Sequence, residues 1–506
     1  MNFAQSKTAP QRAASRGWIL AGLMCMMMLA AMDTTIVSTA IPQIVGDLGG
    51  LSLVSWVFSV YVLAQTVTIP VYGKLADLYG RKPVLMAGTV IFLLGSAASA
   101  ASWDMLSLIV FRGLQGLGAG AIMATVNTLA GDLYSVEERA AVQGWLSSVW
   151  GVAAIVGPLL GGAFADYASW RWIFLVNVPV GLAAMTLLGV FLRERVARQS
   201  HRIDYAGSLL VFLALGVFIF GLMEGGSRWP WASWQTALVV LLTAALMGLL
   251  VLVERRAAEP ILPGWLWRRR ELLGANLGTL GLGLVMMATS VYLPTFLQSV
   301  HGLGAIAAGL VLACVSIGWP VASSLSGRLY MRLGFRNTAL LGAVLMLLAA
   351  LAFIFMPQPR RIWWVVLDQI ALGAGFGLLS TPLLVGQQGV VGWAQRGVLT
   401  GSNMFSRYLG QSLGAAMFGA IFNGSIAGRL AAAPQALQEQ LPQSVDTLLH
   451  ALQDPGTGAA LTDYLRQAVA VATDDLYWGM AVGSVVILLL LFIAPRRFPL
   501  VDEDPG

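Results

Sequence analysis

The stretch GKLADLYGRKP at residues 73–83 recurs in altered form as GRLYMRLGFRN at residues 327–337. The two stretches lie 254 residues apart and share, in register, Gly, a basic residue, Leu, a second Gly and a final basic residue. A second pair, GLGAG at residues 116–120 and GAGFG at residues 373–377, recurs at an offset of 257 residues. Because both pairs recur at nearly the same offset, the chain is predicted to contain two similar halves. Weak self-similarity of this kind is typical of membrane transporters.

The composition indicates what surrounds these repeats. Of the 506 residues, 58% are hydrophobic and 11% are charged, whereas a soluble chain carries roughly a quarter charged residues. A membrane crossing needs about 20 apolar residues, so the composition predicts a polytopic membrane protein and excludes a soluble enzyme. Cys25 and Cys314 lie in separate apolar runs, so no disulfide framework is expected.

Fourteen apolar runs, bounded by charged or turn residues, are predicted to span the membrane as helices. They are centred on residues 18–41, 54–73, 83–102, 106–130, 141–165, 172–192, 205–224, 234–253, 273–296, 304–326, 338–356, 362–384, 399–423 and 476–494. The repeat offset matches spans one to six with spans nine to fourteen. The predicted fold is an all-α membrane protein of two six-helix bundles with two inserted helices.

The domain boundaries follow from these spans. The predicted segments are an amino-terminal tail (1–17), a six-helix bundle (18–192), a linker (193–203), the inserted pair (204–254), an amphipathic linker (255–272), a second six-helix bundle (273–495) and a carboxyl-terminal tail (496–506). Residues 425–474 are Ala-, Gln-, Leu- and Asp-rich. We expect this loop to form a small extramembranous cap of unknown function.

The basic residues are unevenly distributed between the two sides. Of the 30 Lys and Arg residues, 22 fall in tails and loops on the amino-terminal side and six in the opposite loops, while Arg112 and Arg407 lie within spans. The positive-inside rule therefore places both termini in the cytoplasm. Because this topology accounts for the net charge of +6, membrane lipids are expected partners and nucleic acid is not.

Two charges of opposite sign are predicted at similar depth in different spans. Asp33 lies ~22 Å along span one from Trp18, and Arg112 lies ~9 Å into span four from its outer end, at 1.5 Å per residue. Charged residues within a bilayer are expensive and mark function. The pair could switch Asp33 between proton uptake and release, or form a static ion pair that holds the two spans together.

Further polar residues are candidates for a substrate cavity. Asp368, ~10 Å inside span twelve, occupies the repeat-related neighbourhood of Arg112; it could attract a cation or simply reach water at the interface. Each of the others could line the cavity or bridge helices: Tyr61, Gln65, Gln115, Asn127, Trp319, Asn276, Asn403 and Arg407.

The loop that holds the first repeat predicts a gate on the cytoplasmic side. Asp77 can meet a helix amino terminus, and Arg81 and Lys82 can face carboxylates or lipid phosphates. Together with Gly73 and Gly80, they would hold this side shut while the other side is open.

These motifs resemble those of the fourteen-span drug:proton antiporters of the major facilitator superfamily, over essentially the whole chain. MDTTIVSTAIP from Met32 resembles the Asp-containing signature of span one, and RGLQGLGAG from Arg112 resembles the span-four motif tied to proton coupling. In span five, Gly157, Pro158, Gly161 and Gly162 resemble the antiporter motif. WRWIFLVNVPVG from Trp170, EPILPGWLWRRR from Glu259 and RYLGQSLG from Arg407 resemble further features of this branch.

The resemblance implies a proton-coupled antiporter in the bacterial cytoplasmic (inner) membrane that exports lipophilic and often cationic drugs, driven by the proton gradient and without a cofactor. The oligomeric state is left open by the sequence, and a monomer is one of the states that fit it. A dedicated exporter of one metabolite, siderophore or amino acid would share these motifs, and a non-transporting sensor stays a remote alternative. A membrane enzyme is disfavoured because His201, His301 and His450 fall in predicted loops without metal-ligand spacing. ATP-driven pumping is disfavoured because the sequence has no GxxxxGK[ST] loop.

Overall fold

The structure is a computed structural model that describes residues 13–50, 53–194, 205–225, 228–257, 260, 263–357, 360–442, 448, 452 and 458–501. Within these ranges the chain is helical, and its β-structure is limited to one isolated bridge between Gly225 and Trp229. The predicted all-α fold is therefore confirmed. Residues 1–12 of the predicted tail and most of the linker 193–203 lie outside the described residues.

The amino-terminal half contains six long helical segments. Its helices are α1 (Ala13–Thr39), α2 (Ile41–Leu48), α3 (Val54–Tyr79), α4 (Arg81–Ala100), α5 (Met105–Leu133), α6 (Val136–Tyr167), α7 (Trp172–Leu175) and α8 (Asn177–Phe191). The short helices α2 and α7 precede α3 and α8 at one end of the bundle.

The inserted pair and the carboxyl-terminal half follow. Their helices are α9 (Tyr205–Glu224), α10 (Trp234–Glu254), α11 (Trp265–Arg268), α12 (Arg270–Ser299), α13 (Ala305–Ala313), α14 (Val315–Leu333), α15 (Phe335–Ile354), α16 (Ile362–Val390), α17 (Arg396–Ala431) and α18 (Ala459–Leu491). The face of the molecule at which α1 begins is called the amino-terminal face below, and the other is called the opposite face.

The backbone repeats the sequence motif that relates the halves. Gly80 separates α3 from α4 with φ of +97°, and Gly334 separates α14 from α15 with φ of +87°. A positive φ is strained for residues that carry a Cβ atom, so glycine is required at both sharp turns. The second Gly of each repeated stretch therefore has the same structural role in both halves.

Twelve helices among the described residues are long and apolar enough to cross a membrane. Predicted spans seven and thirteen also fold as helices but fall outside these twelve. In α9 only the 17-residue run Ala206–Leu222 qualifies as apolar, and α17 carries a run of buried polar residues, among them Thr400, Asn403 and Ser406. The count of fourteen spans thus stays a prediction.

Side-chain caps fix the starts of two helices. Asp104 accepts a hydrogen bond from the backbone nitrogen of Ser107 at 2.7 Å, which begins α5 with a capping box. Ser135 and Glu138 begin α6 in the same manner. Such caps satisfy backbone N–H groups that have no partner within the helix. The hydrogen bonds from the Ser107 backbone and hydroxyl hold the pKa of Asp104 below its usual value.

Helices extend into both ends of residues 425–474, the segment that is predicted to form an extramembranous cap. Helix α17 continues to Ala431 and α18 begins at Ala459, so both ends of this segment are helical. The side chains of Leu461, Leu465 and Val469 are buried in the core of the carboxyl-terminal half. Their spacing at i, i+4 and i+8 presents one apolar face of the helix.

The two halves meet along two helix pairs. Helix α3 packs against α17, and α6 packs against α14. At the first contact a Cβ atom on Gly73 would lie 2.5 Å from the carbonyl oxygen of Gly397. Small residues let helix backbones approach this closely. The inserted pair lies at the periphery, where α9 contacts both α3 and α17 and α10 packs mainly on α9.

Candidate functional site

Asp33 and Arg112 form an ion pair inside the amino-terminal bundle. Asp33 lies on α1 and Arg112 on α5, and both side chains are fully buried. Nη1 of Arg112 donates a hydrogen bond to Asp33 Oδ2 and another, at 2.7 Å, to Oε1 of Gln115. The contact expected from matched helix depth is therefore present in the structure.

Neutral polar groups complete the surroundings of the Asp33 carboxylate. Gln115 donates from Nε2 to Asp33 Oδ1 at 2.7 Å and to the hydroxyl of Ser96 on α4 at 3.2 Å. Asn177 on α8 donates to Asp33 Oδ1 at 3.5 Å and to Ser96 Oγ at 3.0 Å. Side chains of four helices thus hold one carboxylate in a network that is inaccessible to solvent.

Arg112 is also held from the side of α3. Its Nε donates to the carbonyl oxygen of Val57 at 3.2 Å, and its guanidinium carbon lies 4.2 Å from the centre of the Tyr61 ring. Among the described residues, Nη2 has no hydrogen-bond partner. A buried charge that loses its counter-charge is strongly destabilised, so a proton that neutralises Asp33 would leave Arg112 free to move.

Three of the five predicted gate residues, Gly73, Asp77 and Arg81, lie at the contact between the halves on the amino-terminal face. Asp77 at the end of α3 accepts hydrogen bonds from the backbone nitrogens of Gly397 at 2.8 Å and Val398 at 2.7 Å. These amides are the free donors of the first turn of α17, where a carboxylate is favoured by the helix dipole. Nη2 of Arg81 lies 2.9 Å from the same carboxylate.

Arg81 links further groups across the same contact. Its Nε donates to Asp132 Oδ2 at 2.7 Å, and Nη1 of Arg396 donates to Asp132 Oδ1 at 2.8 Å. Arg81 also donates to the carbonyl oxygen of Trp393. The guanidinium carbon of Arg81 lies 3.6 Å from the centre of the Trp393 indole ring. Asp132 therefore joins an arginine of its own half to one of the other half.

Lys82 stays within the amino-terminal half. Its Nζ donates to the carbonyl oxygens of Gly189 at 2.8 Å and Leu192 at 2.6 Å, which close the carboxyl end of α8. Cations are favoured at that end of a helix. In the described structure Lys82 and Gly80 therefore shape the α3–α4 turn, whereas Asp77, Arg81 and Gly73 make the contacts between halves.

The predicted antiporter motif lies where α6 packs on α1. A Cβ atom on Gly157 would lie 2.1 Å from the hydroxyl of Thr35, and one on Gly161 would lie 2.6 Å from the carbonyl oxygen of Ile36. One on Gly162 would meet no atom within 4 Å. Two of the three glycines thus permit the close packing, and Pro158 lies within the helix between them.

Some cavity candidates meet between the halves. Gln65 donates to the hydroxyl of Tyr408 on α17 at 3.5 Å. The backbone oxygen of Asn127 accepts from Gln388 on α16 at 3.0 Å. Arg407 lies at the same level of α17, with its guanidinium carbon 5.3 Å from the Tyr408 ring.

Other candidates are tied up within the carboxyl-terminal half. Asn276 on α12 donates to Ser402 at 3.0 Å, and Asn403 donates to Thr279 at 3.0 Å. Trp319 packs against Phe376 with ring centres 5.5 Å apart. These side chains bridge helices of one bundle in the described structure.

Asp368 belongs to a polar group that shares no residue with the one around Asp33. It accepts hydrogen bonds from Gln369 at 3.0 Å and from the hydroxyl of Tyr477 on α18 at 3.4 Å. Its side chain is buried within the carboxyl-terminal bundle. The structure does not bring it together with the polar residues that lie between the halves.

Sequence reasoning missed several functional positions. Ser96 and Asn177 are uncharged, and the only signal available was a polar residue within an apolar run. Asp132 and Arg396 are not identified from the sequence, since nothing in the linear sequence shows that they meet. No group of three metal-ligating side chains is found in the described part of the chain.

The two bundles, the inter-half contact and the buried charges define a membrane transporter built from two repeats. The family model of the Major Facilitator Superfamily matches residues 23–207 and 203–415, and the chain belongs to this superfamily. It is thus a transporter and not an enzyme.

Several similar proteins carry names that refer to multidrug transport, multidrug resistance or efflux. The chain is 33% identical to the multidrug transporter protein MdtP of Bacillus subtilis, over 81% of this chain and 75% of that one. It is 32% identical to multidrug resistance protein 3 of the same organism, over 82% and 81%. It is 31% identical to the efflux pump FUS6 of Gibberella fujikuroi, over 82% and 77%.

Solved structures with the same fold are more distant in sequence. The human organic anion transporter MFSD10 superposes with a TM-score of 0.62 at 13% identity, covering 96% of this chain and 100% of the other. A bacterial homologue of the iron transporter ferroportin, in an outward-facing state, superposes with a TM-score of 0.57 at 15% identity, covering 92% and 99%. These likenesses concern the fold alone.

Proposed function

We propose that this protein is a proton-coupled antiporter that exports lipophilic, often cationic, drugs or toxic compounds across the bacterial cytoplasmic membrane by alternating access. The observation that carries the proposal is the Asp33–Arg112 ion pair, which is held by side chains of four helices and is inaccessible to solvent. The names of the Bacillus subtilis relatives support a role in multidrug efflux.

Proton coupling follows from the cost of buried charge. With Asp33 ionised, Arg112 is neutralised and stays bound to it. A proton on Asp33 removes this attraction, and the guanidinium is then held by Val57, Tyr61 and Gln115, with the Phe174 ring 5.8 Å away. The two protonation states therefore favour different positions of α5 relative to α1, which is the bistable element that a ligand or a proton can bias.

The amino-terminal face would be cytoplasmic, as the distribution of Lys and Arg predicts. The contacts of Asp77 with α17 and of Asp132 with Arg396 hold the halves together on this face. In the proposed cycle the structure is thus the state closed to the cytoplasm. Opening on that side requires these contacts to break, and the proton gradient supplies the energy.

The surfaces that meet between the halves suit lipophilic compounds. Gln65, Asn127 and Tyr408 are uncharged, and Met404 lies within 3.8 Å of the Asn127 amide. Thioethers are polarisable and adapt to differently shaped ligands. Such a surface recognises shape and apolar area rather than one functional group.

The test uses purified protein in liposomes with an imposed pH gradient. Proton movement is followed while lipophilic cations, neutral drugs and metabolites are added separately. Asp33→Asn is the test variant, and Asp463→Asn, which alters an exposed carboxylate at the start of α18, is the matched control. We expect several unrelated compounds to evoke proton flux in the wild type and the control but not in Asp33→Asn.

Two results would contradict the proposal. A response to one metabolite alone would indicate a dedicated exporter. Undiminished proton flux in Asp33→Asn, at equal protein in the membrane, would remove Asp33 from coupling.

A further inference from the structure

A second buried carboxylate occupies the carboxyl-terminal bundle. Asp368 on α16 is 6% exposed and lies ~9 Å along the helix from Ile362, at 1.5 Å per residue. Its Oδ2 accepts hydrogen bonds from Gln369 at 3.0 Å and Tyr477 at 3.4 Å. Its Oδ1 is buried and has no hydrogen-bond partner among the described residues.

The hydrogen bonds to Asp368 resemble those to Asp33, although Asp33 lies on the first long helix of its half (α1) and Asp368 on the fourth (α16), next to Gln369. In each half the carboxylate accepts a hydrogen bond from a glutamine on the fourth long helix, Gln115 on α5 or Gln369 on α16. In each half a second hydrogen bond comes from the sixth long helix, from Asn177 on α8 or Tyr477 on α18.

The halves differ in the position of the cation. Arg112 touches Asp33 directly, whereas no Lys or Arg side chain of the described residues lies within 4.0 Å of Asp368. The nearby cation is Arg360, which precedes α16, is 2% exposed and is bound to Asp474 on α18. Its charge acts on Asp368 from this position.

Arg360 has unused bonding capacity. Its Nε and Nη1 are buried without a hydrogen-bond partner in the described structure. The guanidinium carbon lies 4.4 Å from the centre of the Phe353 ring, which itself stacks on Tyr477 at 3.6 Å. Thus Nε and Nη1 of Arg360 and Oδ1 of Asp368 have no hydrogen-bond partner among the described residues. All three atoms belong to side chains that contact the stacked pair of Phe353 and Tyr477.

We propose that Asp368 is a second proton-binding carboxylate of the transport cycle, which exchanges its proton with the opposite face beside the Arg360–Asp474 pair. The inference rests on the proposed function, because it assigns a second proton to the same antiport. The proton binds at Oδ1 and cancels the carboxylate charge. When it leaves toward the opposite face, the open Nε and Nη1 of Arg360 supply the counter-charge.

The surrounding groups are consistent with such an exchange. The side chain of Asp474 is 28% exposed, so a proton that leaves this site can reach water beside it. Its neighbour Asp475 accepts a hydrogen bond from Ser425 on α17 at 2.6 Å. His301, which follows α12, packs against Phe296 and interacts electrostatically with Arg360. The faces that α15 and α12 turn to this site carry Phe353 and Phe296, which do not titrate.

An unpaired carboxyl group that is buried away from water favours its neutral form, because ionisation there is costly. The two halves differ in how the cation is placed, since Arg112 contacts Asp33 directly, whereas Arg360 acts on Asp368 without touching it.

Proton binding itself is tested by infrared spectroscopy of the full-length protein in lipid. The carbonyl band of a protonated buried carboxyl group is followed as the pH is lowered. Asp33→Asn protein is compared with the double variant Asp33→Asn/Asp368→Asn, so that the difference isolates Asp368. We expect a band that the double variant lacks, and identical spectra at every pH would overturn the inference.

The role in transport is tested by the proton-to-substrate ratio in liposomes, measured as the pH gradient that just balances a substrate gradient. Asp368→Asn should move one proton fewer per substrate, whereas Asp368→Glu and the control Asp463→Asn should keep the wild-type ratio. An unchanged ratio in Asp368→Asn would overturn the second-proton role. If the wild type shows no proton-driven transport, the proposed function fails, and the infrared comparison still decides whether Asp368 binds a proton.

Discussion

The carboxylate of Asp77, at the end of α3, accepts a hydrogen bond at 2.8 Å from the backbone nitrogen of Gly397, in the first turn of α17. The two residues belong to different halves of the transporter. The contact joins a negative charge to the positive end of a helix dipole, in a place where both partners are buried. It therefore stabilises the closed arrangement of the amino-terminal face.

Asp77→Asn should open this face. The variant loses the charge that two α17 amides and Arg81 share, and helix-end interactions of this kind contribute ~1–2 kcal/mol. We expect a roughly 5- to 30-fold shift toward the open arrangement.

The shift can be measured as the distance between spin labels at two exposed positions of this face, Tyr79→Cys and Arg332→Cys, after Cys25 and Cys314 are replaced. Asp463→Asn in the same labelled background is the control. A distance distribution that does not change in Asp77→Asn would show that the contact does not set the equilibrium.

Gly161→Ala and Gly162→Ala should differ sharply although the residues are neighbours. The added Cβ atom of the first would lie 2.6 Å from the Ile36 carbonyl oxygen, while that of the second meets nothing within 4 Å. Overpacking costs ~1–3 kcal/mol, so only Gly161→Ala should lose thermal stability and transport. Thermal unfolding in detergent and liposome transport provide the two readouts, and equal stability of both variants would show that the α1–α6 contact tolerates expansion.

Arg112→Lys should impair coupling although it preserves the charge. Lysine cannot reproduce the planar fork through which Arg112 reaches Asp33, Gln115 and the Val57 carbonyl oxygen together. We expect proton-driven transport to fall by roughly tenfold or more, with membrane abundance unchanged. Proton flux at the wild-type rate would mean that a positive charge alone suffices at this position.

His301 should titrate below its ordinary pKa. Burial, and then the charge of Arg360, lower the pKa of His301 from the usual value of 6.5. The imidazole should therefore be neutral at physiological pH and gain a proton only in more acidic solution. NMR of histidine-labelled protein, with His301→Asn to assign the signal, measures the midpoint, and Arg360→Gln should raise it. A midpoint above 6.5 would contradict this arrangement.

The sequence predicted the fold well because its signals are local. Apolar run length marks the membrane helices, and the repeated Gly80 and Gly334 mark equivalent turns. Helix ends were less predictable. Helix α17 continues to Ala431, and α18 begins at Ala459. These ends are difficult to predict because polar residues occur both at the ends of long helices and in loops.

Contacts within the site could be predicted only for residues whose opposite charges and similar depth in the membrane identify them as partners. Asp33 and Arg112 could be paired because helix rise places them at similar levels, and intramembrane charges are rare. The contact between Asp132 and Arg396 could not be predicted, since the two residues are 264 positions apart and meet only through the packing of the two halves. Tyr477 gave no signal beyond that of a core aromatic residue.

Asp132 binds Arg81 with one oxygen and Arg396 with the other, while Arg81 also touches Asp77 and Trp393. No single member of this network can separate without leaving a buried charge on another. The halves therefore cannot part gradually at this face. Opening is expected to be cooperative, with a sharp threshold, so a small bias from a distant proton or ligand has an all-or-none result.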